Sequence, residues 1–565
     1  MINEFKEELL KAISKAGISQ ESANNLLETP MQRQMGDFAL PCFKLSSQMK
    51  KAPQQIAQEL SQKIVLPKSF EKSQVAGAYL NFFLDEKIIA KKIIEMAQKN
   101  PKKSAAKEKV IVEYCQANPM KAFHIGHVRN ICIGESLSRI LEERSKKVIR
   151  IDYGGDVGPH VSKTLYAYRN LEHRDEPKDF SEKEKWLGEL YSAGAKEVKE
   201  NPELEQKMRE MVVELEGGKN KQLTSDWKYL RQMSIKCFEL IFSEMGIKFD
   251  RIILESEVEK EGIEIAKKLE KVGFALKDQG AIIVDLQKYN LAKFLILKSD
   301  GAALYSSKDL ALAKLKKEKY NPTISYNVVG AEQTFYFEQL IKTIELLNGK
   351  KNEYCKTEHI SYELVRLEGG KMSSREGNVI TYRELFETVY EKTFQETKER
   401  HEDWEKKKTE KIARQIAMGA IKFGMLNHDK NKVIAFNWES AIRLDGETGP
   451  FVQYSYVRAN SILKKAKAQK KSPTGTFESE SEKELASLLL RYETALEDAH
   501  KNMSPNKMAT YLVHLAKSFN SFYQQVPVLN AENEKIKLRL ALVRASAKTI
   551  AKAMNILNIE APQEM

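Results

Sequence analysis

A strand, loop, helix and strand in succession constrain the fold of this 565-residue chain more than any other feature. Residues 110–114 form a compact β-branched run, and residues 148–151 form a second one. Between them, apolar residues recur at helical spacing from Ile131 to Leu141. Two strands joined through a helix predict a βαβ unit, because parallel strands need a crossover connection. We therefore expect a parallel α/β sheet that binds its ligand outside the carboxyl ends of the strands.

The length and the pattern of periodicity predict three domains. The first, residues 1–105, reads as a small α+β domain that ends in a strand at 77–84 and a lysine-rich linker at 99–109. The second, residues 106–385, reads as a Rossmann-like parallel-sheet domain with a polar helical insertion at about 162–245. The third, residues 386–565, reads as all helical, with a basic loop at 464–473.

Four apolar runs follow the predicted insertion, and each has the length and composition of a strand. We expect these runs to return to the same sheet on the far side of the insertion. They lie at 252–254, 281–284, 294–297 and 323–329.

The net charge of +13, from 92 basic and 79 acidic residues, leaves two interpretations open. It describes an ordinary lysine-rich solvated surface, or it describes a protein that binds a polyanion such as nucleic acid. Charge alone does not decide between them.

Cysteine usage and the N-terminus bear on the compartment. Five cysteines are dispersed without any CxxC pair, which favours reduced thiols in the cytoplasm and argues against a structural zinc site. The N-terminus reads as an amphipathic helix rather than a signal peptide, and no run is long enough for a membrane span.

Two histidines around a glycine lie in the loop that follows the first strand. His124, Gly126 and His127 stand where a helix begins, so that its free N–H groups and partial positive charge favour phosphate. Gly126 allows a flat ring to approach the backbone, and both imidazoles can donate to phosphate oxygens. The alternatives are a metal site, for which no nearby ligand cluster exists, or a coincidence in a loop.

A second candidate loop, at 369–377, has glycines on both sides of Lys371, Met372 and Ser373. A lysine in a mobile loop suits phosphate oxygens. The loop is not a Walker A motif, because Val365 stands where its first glycine belongs. Read alone, it is equally consistent with a surface turn.

Taken together, residues 124–127 and 371–374 resemble the two signatures of class I aminoacyl-tRNA synthetases. Further segments narrow the resemblance to the arginyl-tRNA synthetase family, over essentially the whole chain. These segments are 118–123, 128–130, 154–158, 305–309, 449–454 and 561–565. The chain departs from the general class I pattern at Ser374, where a second lysine is usual, and Lys121 stands where arginyl enzymes carry a replacement.

The resemblance implies ATP-dependent activation of arginine and its transfer to the terminal ribose of tRNA(Arg). Lys121, His124, His127 and Lys371 are then the catalytic residues, and Gly126, Met372 and Ser373 complete the ATP site. Mg²⁺ is expected to accompany ATP through phosphates and water, with no metal site of the protein's own.

An arginine pocket is implied at five positions. Glu255 and Asp309 are expected to face the guanidinium, Tyr305 to pack against it, and Asn118 and Gln333 to hold the amino and carboxylate groups. A planar cation with five donors suits carboxylates in a fork, and this chemical argument supports the assignment independently of the resemblance. Each carboxylate alone is equally interpreted as a charge on a solvated helix surface. The pocket interpretation is favoured for Tyr305 and Asp309 because they are four residues apart on one helix face.

For tRNA, the family resemblance assigns Tyr523 and Met565 to the anticodon and Asn81 to the elbow, with base stacking on aromatic rings as the physical basis. The expected protein is a cytoplasmic monomer that binds no membrane. Two rival functions stay open here: a class I synthetase for another amino acid, and a non-catalytic tRNA-binding paralogue.

Overall fold

The computed structural model describes residues 2–565 except 31–32, 99–105, 107, 172–174, 219, 368–379, 467–474 and 531–532. The chain divides into two compact units. The first contains Met1–Lys102, Thr393–Phe423 and Glu439–Met565, and the second contains Lys103–Lys392 and Gly424–Trp438.

The N-terminal segment of the first unit packs helices around an antiparallel sheet of order β1-β3-β2. Leu80, Phe82 and Leu84 alternate along the central strand and are fully buried, which gives the sheet its core face. The elements are α1 (Ile2–Lys15), α2 (Gln20–Leu26), β1 (Phe38–Pro41), α3 (Ser46–Met49), α4 (Pro53–Lys63), β2 (Phe70–Ala76), β3 (Tyr79–Leu84) and α5 (Glu86–Gln98).

The second unit begins with the predicted βαβ run, followed by four helices of the predicted insertion. Their apolar faces enclose a core that includes Trp186, Leu190 and Leu230, together with Met120 from the loop after the first strand. The elements are β4 (Glu108–Glu113), α6 (Ile125–Glu143), β5 (Lys146–Gly154), α7 (Pro159–Asn170), α8 (Phe180–Glu200), α9 (Leu204–Gly217) and α10 (Lys221–Glu244).

The chain then completes a five-stranded parallel sheet of order β11-β10-β4-β5-β6. Because β4 has later strands on both sides, the sheet reverses its order there, and the crevice beyond its carboxyl end is the expected ligand site. The elements are β6 (Arg251–Leu254), α11 (Glu255–Lys271), β7 (Leu276–Asp278), β8 (Ala281–Val284), β9 (Phe294–Leu297), α12 (Tyr305–Tyr320), β10 (Ile324–Gly330), α13 (Thr334–Asn348), β11 (Thr357–Tyr362) and β12 (Val365–Leu367).

The strands at 281–284 and 294–297 exist, but the expectation that they belong to the parallel sheet is wrong. They form a separate antiparallel sheet of order β7-β8-β9. The connections between these strands are too short for a parallel crossover, which takes a dozen or more residues, so each strand folds back on its neighbour.

The remainder is mostly helical, with one short strand that pairs in parallel with β12. This strand interrupts the region that the sequence predicted as all helical. The elements are α14 (Tyr382–Arg400), α15 (Lys406–Leu426), β13 (Ile434–Phe436), α16 (Trp438–Ala441), α17 (Gly449–Lys465), α18 (Glu480–Leu490), α19 (Tyr492–Lys501), α20 (Asn506–Gln525) and α21 (Asn533–Ile556). Most of the expected basic loop at 464–473 and of the expected linker at 99–109 lies outside the described residues.

Arg129 ties helix α6 to the segment that carries β13. Its side chain is fully buried, and the guanidinium donates to the carbonyl oxygens of Met425 (3.4 Å), Lys430 (3.3 Å) and Lys432 (3.1 Å). One buried cation therefore donates to three backbone carbonyls, of which that of Lys430 also accepts the N–H of Glu363 (2.7 Å).

We expect Arg129→Met to lower the free energy of unfolding of the second unit by about 3 kcal/mol, because three backbone carbonyls lose their hydrogen bonds to a buried charged donor. Urea denaturation followed by circular dichroism measures the change. The control is Arg139→Met on the same helix; Arg139 pairs with Glu135, which also pairs with Arg150, so the loss should stay below about 1 kcal/mol. Equal losses in the two variants would contradict this role for Arg129.

Candidate active site

The loop after β4 carries an unusual backbone. Cys115 (φ 84°), Gln116 (φ 49°) and Met120 (φ 68°) all lie in the left-handed region, which non-glycine residues rarely adopt. Long-range hydrogen bonds hold the loop there: Cys115 N donates to Asn130 Oδ1 (2.6 Å) and Gln116 N to Asp152 Oδ1 (3.0 Å). Such strain persists only where the surroundings enforce it, and it is concentrated at functional loops.

The two histidines at the end of this loop cap helix α6. His124 Nδ1 accepts the backbone N–H of Gly126 (3.1 Å), and His127 Nδ1 accepts that of His124 (3.2 Å). The rings stack with centroids 3.7 Å apart. Because each Nδ1 acts as an acceptor, each neutral ring carries its proton on Nε2, which is a donor suited to phosphate oxygens.

Burial keeps both rings neutral. Desolvation lowers the pKa of His124 to about 4, with a further contribution from Lys121. Desolvation, aided by His124 and Lys121, also lowers the pKa of His127 well below its usual range. A Cβ on Gly126 would stand 3.0 Å from the His124 ring, so glycine at this position also makes room for that imidazole.

The residues that follow the second signature loop are joined directly to the first loop. Residues 368–379, with Lys371, Met372 and Ser373, lie outside the described part of the chain. The segment after them forms an antiparallel bridge between His124 and Thr381. Ile125 N donates to Ile380 O (2.9 Å), and Tyr382 N donates to Phe123 O (2.7 Å). The downstream end of the second loop is therefore held at the first.

An ion cluster from the helical insertion supports this junction. Glu184 accepts the backbone N–H of Phe123 (3.2 Å), and its other oxygen lies 3.7 Å from Arg383 Nε. Arg383 and the Tyr382 hydroxyl both donate to Glu244 (2.8 and 2.9 Å). One insertion carboxylate thus holds the backbone of Phe123, and the other holds the side chains of Tyr382 and Arg383 across the junction.

Lys121 lies beside the insertion helices. Its ammonium is 5.4 Å from the centroid of the Tyr191 ring. Burial, followed by repulsion from Lys163, lowers the pKa of Lys121. A half-buried cation close to the two histidines is consistent with a partner for phosphate charge.

Three strand ends converge beyond the sheet. Asn118 Oδ1, after β4, accepts the N–H of Gly155 (2.9 Å), after β5. A Cβ on Gly155 would lie 2.8 Å from Asn118 Oδ1 and 3.1 Å from Oε1 of Glu255, which follows β6. The structure therefore brings Asn118 and Glu255 together, and Gly155 provides the space between them.

Glu255 already has a cationic partner. Lys308 Nζ lies 3.1 Å from Glu255 and 3.1 Å from Glu259, and all three side chains are largely buried. Asp309 accepts the hydroxyl of Tyr336 (2.5 Å), and burial raises the pKa of Asp309 to about 7. Glu255 is thus a buried acceptor and Asp309 a half-buried one, and both already have partners, unlike solvated charges on a helix surface.

Tyr305 and Gln333 lie in more open positions. Tyr305 begins α12 and is 64% exposed, within electrostatic range of Glu255 and Asp309. Gln333 ends the turn after β10 and is exposed. Among the described residues, no recorded contact joins Gln333 to the other four predicted positions.

In the first unit, Tyr523 and Met565 line one cavity of about 490 Å³. Arg458 also lines it, with its guanidinium 4.7 Å from the Tyr454 ring and 4.6 Å from the Tyr523 ring. Asn520 and the Tyr454 hydroxyl accept from the same guanidinium at 2.8 and 3.1 Å. The cavity thus combines an exposed aromatic ring with an oriented cation, which suits an unpaired base and its phosphate.

Asn81 lies in the central strand β3, paired with Ala39 and Gln74, and is only 6% exposed. The more accessible residue on its face is Tyr79, whose ring lies 5.6 Å from that of Phe43.

Three family models match consecutive parts of the chain. They are the class I (R) tRNA synthetase catalytic domain at residues 89–438, the DALR anticodon binding domain at 452–565 and the arginyl tRNA synthetase N-terminal domain at 3–84. The chain belongs to the arginyl-tRNA synthetases.

Individual relatives agree over nearly the full length. The chain is 36% identical to the arginine–tRNA ligase of Clostridium perfringens, over 96% of this chain and 97% of the relative. It is 33% identical to that of Clostridium acetobutylicum, with both chains fully covered. The Thermus thermophilus arginyl-tRNA synthetase superposes over the whole of both chains with a TM-score of 0.84 and 26% identity.

The predicted family, reaction and architecture are therefore confirmed. The chain is an arginine–tRNA ligase of class I, with a parallel-sheet catalytic domain, an α+β N-terminal part and a helical C-terminal part. Membership in this family implies that it uses ATP and binds arginine and tRNA. In the described part of the chain, no helix has the length and apolar character needed to cross a membrane.

Sequence reasoning missed several residues of this arginyl-tRNA synthetase site. Glu184, Glu244 and Arg383 belong to polar helices and carry no local signal. Gly155 lies in the 154–158 segment, but the sequence does not show that Asn118 and Glu255 approach it closely. Lys308 lies in the 305–309 segment of α12, and its pairing with Glu255 and Glu259 of α11 can be recognised only once the two helices are packed together.

Ionisation of Glu184 gives a test of the insertion cluster. Burial raises the pKa of Glu184 from 4.5 to about 7. The Phe123 N–H and Arg383 oppose this rise in pKa, and Glu244 adds to it. Because the folded state holds this proton more tightly than the unfolded state, stability contributed by Glu184 falls as the pH rises from 4.5 to 7. Glu184→Gln keeps the acceptor for Phe123 but cannot ionise.

We expect the thermal midpoint of Glu184→Gln to rise relative to the unsubstituted protein between pH 4.5 and 7, and the difference to stay constant above pH 7. The shift corresponds to about 3 kcal/mol. Thermal unfolding at a series of pH values measures it. Glu182→Gln, an exposed glutamate in the same helix, controls for net charge; a pH-independent difference for Glu184→Gln would disprove the raised pKa.

Proposed function

We propose that the strand ends and the two signature loops of the second unit, at 124–127 and 371–374, carry out arginine activation. The observation that carries the proposal is the junction between His124 and Thr381, which joins the chain downstream of the second signature sequence to the first loop. In the first step the arginine carboxylate attacks the α-phosphorus of ATP and pyrophosphate leaves. In the second step a hydroxyl of the terminal ribose of tRNA attacks the arginyl carbonyl carbon, and AMP leaves.

His124 and His127 bind the ATP phosphates through their Nε2–H groups. Because both rings are neutral, they stabilise negative charge by directed hydrogen bonds without needing a proton from solvent. Gly126 admits the nucleotide to the helix terminus, where the N–H groups and the helix dipole favour anions. Lys121 and Lys371 add positive charge, with Met372 and Ser373 completing the second loop.

Mg²⁺ enters as part of the ATP substrate. Among the described residues, no group of three or more histidine, cysteine, aspartate or glutamate side chains could hold a metal ion. The phosphates and water are the ligands of Mg²⁺ in the proposed reaction.

The arginine substrate binds across the ends of β4, β5 and β6. Asn118 holds its amino and carboxylate end, and Glu255 and Asp309 accept from the guanidinium. The burial of Glu255 and the partial burial of Asp309 support this, because charged hydrogen bonds are strongest where water is excluded. Tyr305 closes over the side chain from its exposed position, and Gln333 contributes from the turn after β10.

The tRNA binds at both ends of the chain. Tyr523 stacks on an anticodon base, and Met565 forms part of the same cavity wall. Arg458, held by Asn520 and two tyrosines, contributes a fixed cation there. The strand face that carries Asn81 meets the tRNA elbow, with Tyr79 as the accessible residue of that face.

Three segments are assigned within this scheme: an elbow-binding domain at 1–105, a catalytic domain at 106–385 and an anticodon-binding domain at 386–565. We also propose a monomer that works in the cytoplasm. Five dispersed, buried cysteines support a reducing compartment.

Lys121→Ala tests the phosphate assignment. We expect the rate of arginine-dependent pyrophosphate exchange, measured with tRNA present, to fall about 100-fold, because a charge that stabilises the transition state is lost. The dissociation constant for tRNA should stay nearly the same. Lys185→Ala, an exposed lysine of α8, is the control; a near-normal rate for Lys121→Ala would remove Lys121 from the mechanism.

Tyr523→Ala tests the anticodon cavity. Loss of the stacking surface should raise KM for tRNA(Arg) at least about tenfold in the charging reaction, with KM for ATP unchanged. Tyr523→Phe keeps the aromatic face and should stay within about twofold of the unsubstituted enzyme. If both variants keep the original KM for tRNA, Tyr523 does not contact the anticodon.

A further inference from the structure

Tyr153 lies at the point where the arginine pocket meets the sheet. In the β5–β6 register it pairs with Ile253, one step before Gly154 pairs with Leu254. Side chains two residues apart share a face of a strand, so Tyr153 is on the same face as Gly155. That face leads to Asn118 Oδ1 and Glu255 Oε1, which lie 2.8 and 3.1 Å from the place that a Cβ on Gly155 would occupy.

The phenol of Tyr153 is a buried polar group that has not found a partner in the fold. The residue is 9% exposed, and its hydroxyl makes no hydrogen bond to any described residue. The ring packs in the apolar core between the sheet and helices α11 and α12. An unpaired buried hydroxyl is costly, so its retention in a native site needs a reason.

Four acidic groups lie within electrostatic range of this hydroxyl. Asp309, Glu255, Glu113 and Asp156 all interact with it electrostatically. Two neighbouring groups already have partners: Tyr336 donates to Asp309, and Lys308 pairs with Glu255. The Tyr153 hydroxyl stands among the same carboxylates with its hydrogen-bonding capacity unused.

A guanidinium group can supply the missing partner. It has five N–H donors in one plane. Glu255 and Asp309 each already accept one hydrogen bond from the protein, so a guanidinium bound to them still has a donor for a further acceptor. A phenolic oxygen accepts from a guanidinium and can still donate its own proton to a carboxylate. This set of acceptors favours a guanidinium, which has several donors in one plane, over a compact ammonium.

We propose that the Tyr153 hydroxyl accepts a hydrogen bond from the guanidinium of the arginine substrate and so determines specificity at the base of the pocket. This inference rests on the proposed assignment of Glu255 and Asp309 to the arginine side chain. The residue acts on substrate binding and takes no part in bond making or breaking.

Tyr153→Phe removes only the oxygen. In tRNA-dependent pyrophosphate exchange, KM for arginine should rise about tenfold, the effect of one lost hydrogen bond to a charged group. The kcat and KM for ATP should change by less than about twofold. The rise in thermal midpoint that saturating arginine produces should shrink, while the midpoint without arginine stays the same or increases, since an unpaired buried hydroxyl is gone.

A purely structural hydroxyl gives a different pattern. If the midpoint without arginine changes and KM for arginine does not, the proposal is overturned. The matched control is Tyr114→Phe in the same unit, where the lost hydroxyl donates to Glu135 (2.7 Å). That variant should lose thermal stability and keep the original KM for arginine.

Asp309→Asn separates this inference from the proposed pocket. If KM for arginine rises in Asp309→Asn but not in Tyr153→Phe, the pocket assignment stands and the role of Tyr153 is wrong. If Asp309→Asn leaves KM for arginine unchanged, the pocket assignment fails, and the inference about Tyr153 fails with it.

Discussion

Capping of helix α6 by two imidazole rings is the interaction on which the catalytic site depends. The same two hydrogen bonds that begin the helix also determine which nitrogen of each ring carries a proton. Burial then keeps His124 and His127 neutral. Helix geometry, tautomer and charge state are therefore one property of this terminus, and together they provide two Nε2–H donors at the positive end of a helix dipole.

Phe123 extends this local arrangement to distant parts of the chain. Its backbone N–H donates to Glu184 of the helical insertion, and its carbonyl accepts from Tyr382 beyond the second loop. Its ring also contacts His127, Phe238 and Tyr382. Three segments far apart in sequence thus meet at one residue beside the phosphate-binding histidines. The insertion, which the sequence predicted only as a polar helical segment, contributes both a wall of the loop and its anchoring charges.

The amino-acid side of the site is organised by buried charge. Glu255 with Lys308, and Asp309 with Tyr336, are partly satisfied before any substrate binds. This limits the cost of desolvating two carboxylates and leaves their remaining lone pairs available. A substrate guanidinium can then bind the lone pairs that Lys308 and Tyr336 leave free. The positions of those lone pairs decide which side chain fits.

Local patterns in the sequence determined the βαβ unit, the loop with His124 and His127, and the helix that begins at Tyr305 and carries Asp309 one turn later. Each of these depends on hydrogen bonds or side-chain spacing within a few residues, so adjacent letters encode it. The family followed from the same motifs. Tertiary structure alone decided that strands at 281–284 and 294–297 leave the parallel sheet, that Glu184 anchors Phe123, that Lys308 neutralises Glu255, and that the Tyr153 hydroxyl is left among carboxylates. These outcomes depend on which distant segments meet and how much water they exclude, and neither is encoded in the spacing of neighbouring residues.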